Sequence, residues 1–288
     1  MRILSVASAF ALMAVPVAAW ADRAPEILNR TSKWALDEGL DACQLYARFG
    51  EGDAAVIARF ARFEPGEAFD LSLMGKRMKS SEPLGGAKID FGLAKAPQAF
   101  IPMNGRQGDY DASFFGEMRL DGWSSGKFGE IGPPITPQQE AQVTGVTVQF
   151  KGGERPFRLE FGQFGRPLAM LRQCADGLVT AWGYDLQVQQ SLQRRATPRS
   201  AVTKWVTSAD YPIGSLRMGQ SGFVRIRLDV DAAGAISDCH VAQRTDQPEF
   251  AAAVCRAILK RGRFDPALDA HGQPVRSYRV IGFRFEIE

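Results

Sequence analysis

Histidine is nearly absent from this 288-residue chain, which has only His240 and His271. Neither has a partner residue at catalytic or ligand spacing, and this removes most routes to His-based catalysis and His–metal chemistry. Gly-x-Ser-x-Gly, His-Glu-x-x-His and phosphate-loop patterns are missing as well. Ser221-Gly222 leads into a strand pattern rather than a helix, so it is no nucleophile elbow. No C-x-x-C occurs among Cys43, Cys174, Cys239 and Cys255, and the neighbours Cys239-His240 lack metal-ligand spacing. The 35 Lys+Arg and 32 Asp+Glu leave a net charge of +3, too weak a field to argue for nucleic acid. No apolar run beyond residue 21 is long enough to span a membrane. These gaps predict a protein that is not an enzyme and that uses no cofactor and no metal.

The N-terminus carries a targeting pattern. Arg2 is the only charge before Asp22, residues 3–21 are apolar or small, and Ala19-Trp20-Ala21 supplies small residues at the −3 and −1 positions of a cleavage site. Residues 1–21 therefore read as a secretory signal peptide, with a membrane anchor as the alternative. The mature chain would start at Asp22, and export would place the cysteines where disulfides form. Four cysteines allow three connectivities. If each domain closes its own bridges, the pairs are Cys43–Cys174 and Cys239–Cys255. The second would close a loop worth on the order of 3 kcal/mol.

The remaining length suits about two domains. Residues 22–188 read as mainly β. Residues 55–63 and 69–74 alternate apolar with polar or small residues across a Glu64-Pro65-Gly66 turn. Further strand patterns lie at 88–93, 98–103, 114–120, 143–151 and 155–161, punctuated by Gly and Pro, which suggests a sandwich or barrel-like body. One helix closes it: residues 167–182 carry Leu168, Leu171, Ala175, Leu178 and Trp182 at helical spacing. Phe114, Phe115, Trp123 and Phe128 are either core or the lining of a ligand cleft. Residues 189–204 are polar and basic and read as a short solvated linker.

Residues 205–288 have the clearest pattern. In 222–230, Val224, Ile226, Leu228 and Val230 share one face and Arg225, Arg227 and Asp229 the other, the signature of a half-buried strand. A turn at Asp231–Gly234 leads to a second strand over 235–244. Residues 248–261 form an amphipathic helix with Phe250, Val254 and Ile258 in one row, and 275–287 form a last strand. The overall prediction is α+β: a mainly-β N-terminal body with one closing helix, followed by a small ββαβ domain.

Tyr211-Pro212, Gly219-x-x-Gly222-x-Val224, Gly234, Arg263-Phe264-x-Pro266-Ala267 and Gly272-x-Pro274-Val275 follow one another in this domain. This ordered set resembles the C-terminal domain of TonB-family energy transducers. The resemblance implies a periplasmic protein-binding module that pairs a sheet edge with a short segment of an outer-membrane receptor. Carried over by position, the edge is the last strand, about 276–285, with Arg276, Tyr278, Arg279, Arg284 and Phe285 tuning specificity. Phe283, Phe285 and Ile287 also suit simple core closure. The chain departs from the family in having a β body where a Pro-rich spacer is usual; its 16 prolines are scattered.

The implied partner is a protein, an outer-membrane TonB-dependent receptor or another envelope protein. Inner-membrane motor proteins enter only if the N-terminus stays uncleaved. The implied location is the periplasm, or the inner membrane if residues 1–21 anchor the chain. An alternative is a cell-envelope binding protein whose N-terminal β domain recognises a ligand or wall component.

Overall fold

The computed structural model describes residues 23–78, 85–124, 132–152, 155–245 and 247–287. The segment read as a signal peptide and Phe128 lie outside them. The N-terminal body is built from strands β1 (Glu26–Asn29), β2 (Ala35–Glu38), β3 (Cys43–Phe49), β4 (Val56–Arg62), β5 (Phe69–Met74), β6 (Ala87–Asp90), β7 (Gln98–Phe100), β8 (Met103–Gln107), β9 (Tyr110–Met118), β10 (Gly145–Phe150) and β11 (Phe157–Glu160). They form two sheets, ordered β1-β11-β10-β6-β7 and β2-β3-β4-β5-β9-β8. Leu45, Phe60, Leu71 and Phe115 from the second sheet meet Ile89, Val146, Val148 and Leu159 from the first in one buried core. This is the two-layer arrangement that alternating strands require, because each sheet has one apolar face to bury.

Helix α2 (Gly165–Ala181) closes the core with Leu168, Leu171, Ala175 and Leu178, as the periodicity predicts. Two short helices join it, α1 (Pro137–Gln142) and α3 (Leu186–Gln190). The first is set by a capping box, in which Thr136 and Gln139 satisfy each other's backbone N–H groups, with Pro137 pre-shaped for the first turn. The strand expected over 98–103 is divided. Pro102 has no N–H to give to a ladder, and the chain leaves the first sheet there and joins the second.

In the C-terminal domain, α4 (Ile213–Arg217) precedes β12 (Gly222–Val230), β13 (Ile236–Arg244), α5 (Pro248–Arg261) and β14 (Ser277–Phe285). The three long strands are antiparallel in the order β13-β12-β14. Val224, Ile226 and Leu228 of β12 pack with Phe250, Val254 and Ile258 of α5 and with Ile281 and Phe285 of β14. Bridges join Cys43 to Cys174 and Cys239 to Cys255.

Residues 189–204 are not a solvated linker. Thr197–Pro198 pairs with Phe264–Asp265, and Arg194 exchanges backbone hydrogen bonds with Leu268. Ala196 enters the C-terminal core, and Arg195 forms an ion pair with Glu64 at 2.7 Å. The polar composition that suggests a linker belongs instead to a strap held by ladder bonds and ion pairs.

Candidate functional site

The motif residues of the C-terminal domain shape the fold that presents its edge. Tyr211 packs against Phe250 and Phe285 and donates its hydroxyl to the Gln220 carbonyl at 2.6 Å. Pro212 caps α4, and Gly219 takes a φ of 66° just beyond that helix. Gly222 lies under the Phe250 ring, where a Cβ would collide. Gly234 turns the β12–β13 hairpin at φ 83°, with the Phe264 carbonyl where its Cβ would be. Phe264 stacks edge-on with Trp205, and Arg263 donates to the Gly262 carbonyl. Ala267 is buried, Gly272 turns the chain at φ 75°, Pro274 pairs with Leu268 in a two-residue ladder, and Pro266 sits between that ladder and the one Phe264–Asp265 forms with Thr197–Pro198.

The edge follows from backbone alternation. The Phe223 carbonyl accepts from the Thr245 N–H, so the odd residues of β12 turn toward β13 and the even ones toward β14. Val224 faces Phe283, Ile226 faces Ile281 and Leu228 faces Arg279. The N–H and C=O groups of Tyr278, Val280, Gly282 and Arg284 are thus left for the free side. Pairing of β14 with β12 runs through nine residues without a register shift. The opposite edge, β13, carries two register shifts. Bulges of that kind blunt an edge, and a regular strand leaves it open.

The side chains expected to tune specificity mostly do not face solvent. Tyr278, Arg279 and Phe285 are buried, with Phe285 in the core against Phe250; Arg284 is exposed and paired with Glu286. Arg276 stacks on the Tyr184 ring at 4.4 Å. Tyr278 is covered by Val179, Trp182 and Tyr184 of the N-terminal body. The second face of the sheet, which the sequence pattern assigns to solvent, is an interface: Arg225 and Arg227 are only 5% and 6% exposed. Arg225 forms an ion pair with Asp70 and lies over Phe63 at 4.2 Å. Arg227 lies over Trp182 at 4.5 Å and reaches Asp41 and Asp229. Asp70 also accepts the N–H of Glu117, which takes a φ of 53° where β9 bulges against β5.

Burial lowers the Arg279 guanidinium to about 10 and pushes the Tyr184 hydroxyl up to about 12. The signal that could reveal this face is the run Arg225-x-Arg227, whose acidic and aromatic partners lie far away in sequence.

The remaining candidates do not gather into a site. Phe115 is core and Trp123 lies beneath Arg119. His240 sits between Asp229 and Asp238 at 3.3 and 3.2 Å, and His271 is in an exposed turn. Among the described residues, no group of three or more His, Cys, Asp or Glu could hold a metal ion. No helix among them is long and apolar enough to cross a membrane.

The C-terminal domain is a helix-backed, three-stranded antiparallel sheet with one regular edge strand. Residues 207–287 match the family described as Gram-negative bacterial TonB protein C-terminal. No curated protein matches the chain.

Proposed function

We propose that the protein is an exported envelope protein that docks other proteins through its TonB-type C-terminal domain, with β14 pairing to an extended segment of an outer-membrane receptor. The observation that carries this reading is the regular β14 edge, with the backbone groups of Val280, Gly282 and Arg284 turned outward, set against the bulged β13. Backbone bonds would supply affinity, and Arg284 and its neighbours would supply selectivity. In this reading residues 1–21 are removed, 22–188 form the N-terminal domain, 189–204 strap it to the next, and 205–288 dock. The work is binding, and no cofactor or catalytic group takes part. Inner-membrane motor proteins would be partners only of a chain that keeps its first 21 residues.

The test is a photo-crosslinking side chain placed at Arg284 on β14 and, separately, at Val241 on β13, in a Gram-negative host. Adducts with an outer-membrane receptor are expected from position 284 and not from 241. Adducts from 241 alone, or from neither, would overturn the reading.

A further inference from the structure

The first part of the β14 edge is occupied. By the same alternation, the Arg276 carbonyl is the first acceptor on the free side, and Gln189 Nε2 donates to it at 3.1 Å. Gln189 Oε1 accepts from the Ser277 hydroxyl at 2.6 Å, and the Tyr184 hydroxyl donates to the Ser277 carbonyl at 3.0 Å. The rings of Trp182 and Tyr184 both lie 5.2 Å from the Tyr278 ring. Further along, a cavity of about 60 Å³ separates Val280 from Glu64, Asp70 and Glu117 of the N-terminal body. Beyond it Gly282 is half-buried and Arg284 exposed. On the outward-facing residues, cover therefore thins from Tyr278, buried, through Val280 and Gly282, half-buried, to Arg284, exposed.

The contact between the bodies is of a separable kind. Its apolar part is a small cluster of Val179, Tyr184 and Tyr278 with Trp182, Leu186 and Val280. Beside it stand the ion pairs Glu64–Arg195, Asp70–Arg225 and Asp41–Arg227 and the guanidinium–ring contacts of Arg225 with Phe63 and Arg227 with Trp182. Interfaces between domains of one chain resemble transient protein–protein contacts and open accordingly.

We propose that the N-terminal body is a latch on the docking edge. Gln189 holds the first free-side acceptor that a partner strand needs, the Arg276 carbonyl, and Tyr184 fixes the body beside it through the Ser277 carbonyl and the Tyr278 ring. A partner seats first on residues 282–285 and extends toward Ser277 only as the body lifts away. A strand that pairs along the whole edge binds the lifted state alone, so its binding and the latch contacts oppose each other. The inference rests on β14 being the docking edge.

Amide hydrogen exchange of the full chain, disulfides intact and no partner added, tests it. Relative to intrinsic rates, the Tyr278 and Val280 amides should exchange roughly tenfold more slowly than those of Gly282 and Arg284. In the double variant Tyr184→Phe, Gln189→Ala, the first two should speed up about tenfold while Gly282, Arg284 and the β12 amides stay as they were. Gln189→Ala alone, a change at a half-buried side chain, should move the same two amides in the same direction by less. Four alike rates in the unmodified chain, or slow Tyr278 and Val280 in both variants, would overturn the latch. Because no partner is present, that failure would leave the docking reading to the crosslink from position 284.

Discussion

One face of the C-terminal sheet carries Val224, Ile226, Leu228 and Val230 and meets α5; the other carries Phe223, Arg225, Arg227 and Asp229 and meets the N-terminal body. The first is held by apolar burial, which is non-directional and belongs to one domain. The second is held by guanidinium–carboxylate pairs and stacked rings, which need particular partners and lose most when one partner is missing. The contrast separates two jobs. The apolar face holds the domain's own core, and the arginine face joins the domain to the N-terminal body.

Breaking the apolar face should have the largest effect. Phe250→Ala empties a site with no exposure and should cost about 3–5 kcal/mol in chemical denaturation, with loss of the C-terminal domain's signals. Trp182→Ala strips the platform under Arg227 and Tyr278 and should cost about 2 kcal/mol. It should also separate the unfolding of the two bodies in calorimetry, which Phe250→Ala should not do by this route.

A third change sharpens the comparison within the C-terminal domain. Asp210 is held below the usual aspartate range, first by the hydrogen bond from Arg261 of α5. A depressed carboxylate contributes stability above its unfolded pKa and loses it as pH falls through its folded one. Asp210→Asn should thus cost about 0.5–1 kcal/mol at neutral pH, and the difference from the unmodified chain should begin to shrink near about pH 4 and close as pH falls through the lowered folded pKa. Arg284→Ala, on the exposed end of the edge, should change stability by less than about 0.5 kcal/mol. Under the proposed docking, its effect should appear instead as weaker crosslinking of a protein partner to the β14 edge.

The two faces also differ in how far the sequence reveals them. The alternation in β12 and the helical rows of α5 are local, so the ββαβ order and the helix limits can be read directly, whereas the edge position of β14 follows from the family resemblance. The N-terminal body is legible as a β layer structure with a closing helix. Patterning does not single out β1, β2 or β3, although Cys43, Leu45, Ala47 and Phe49 alternate toward the core. Nor does it find the capping box at Thr136. The arginine face is not legible. A guanidinium on a strand looks the same whether it meets water or a carboxylate, and Asp70 lies 155 residues from Arg225. That pairing decides why Tyr278 and Arg279, expected to meet a partner, are covered by the chain itself.

The most direct test of this account is a double-mutant cycle on Asp70 and Arg225, using Asp70→Asn, Arg225→Gln and the combination in the otherwise intact chain. A pair that joins the two bodies should give a coupling of about 1.5 kcal/mol or more in the unfolding free energy. A coupling within about 0.3 kcal/mol of zero would mean that the arginine face does not hold the N-terminal body.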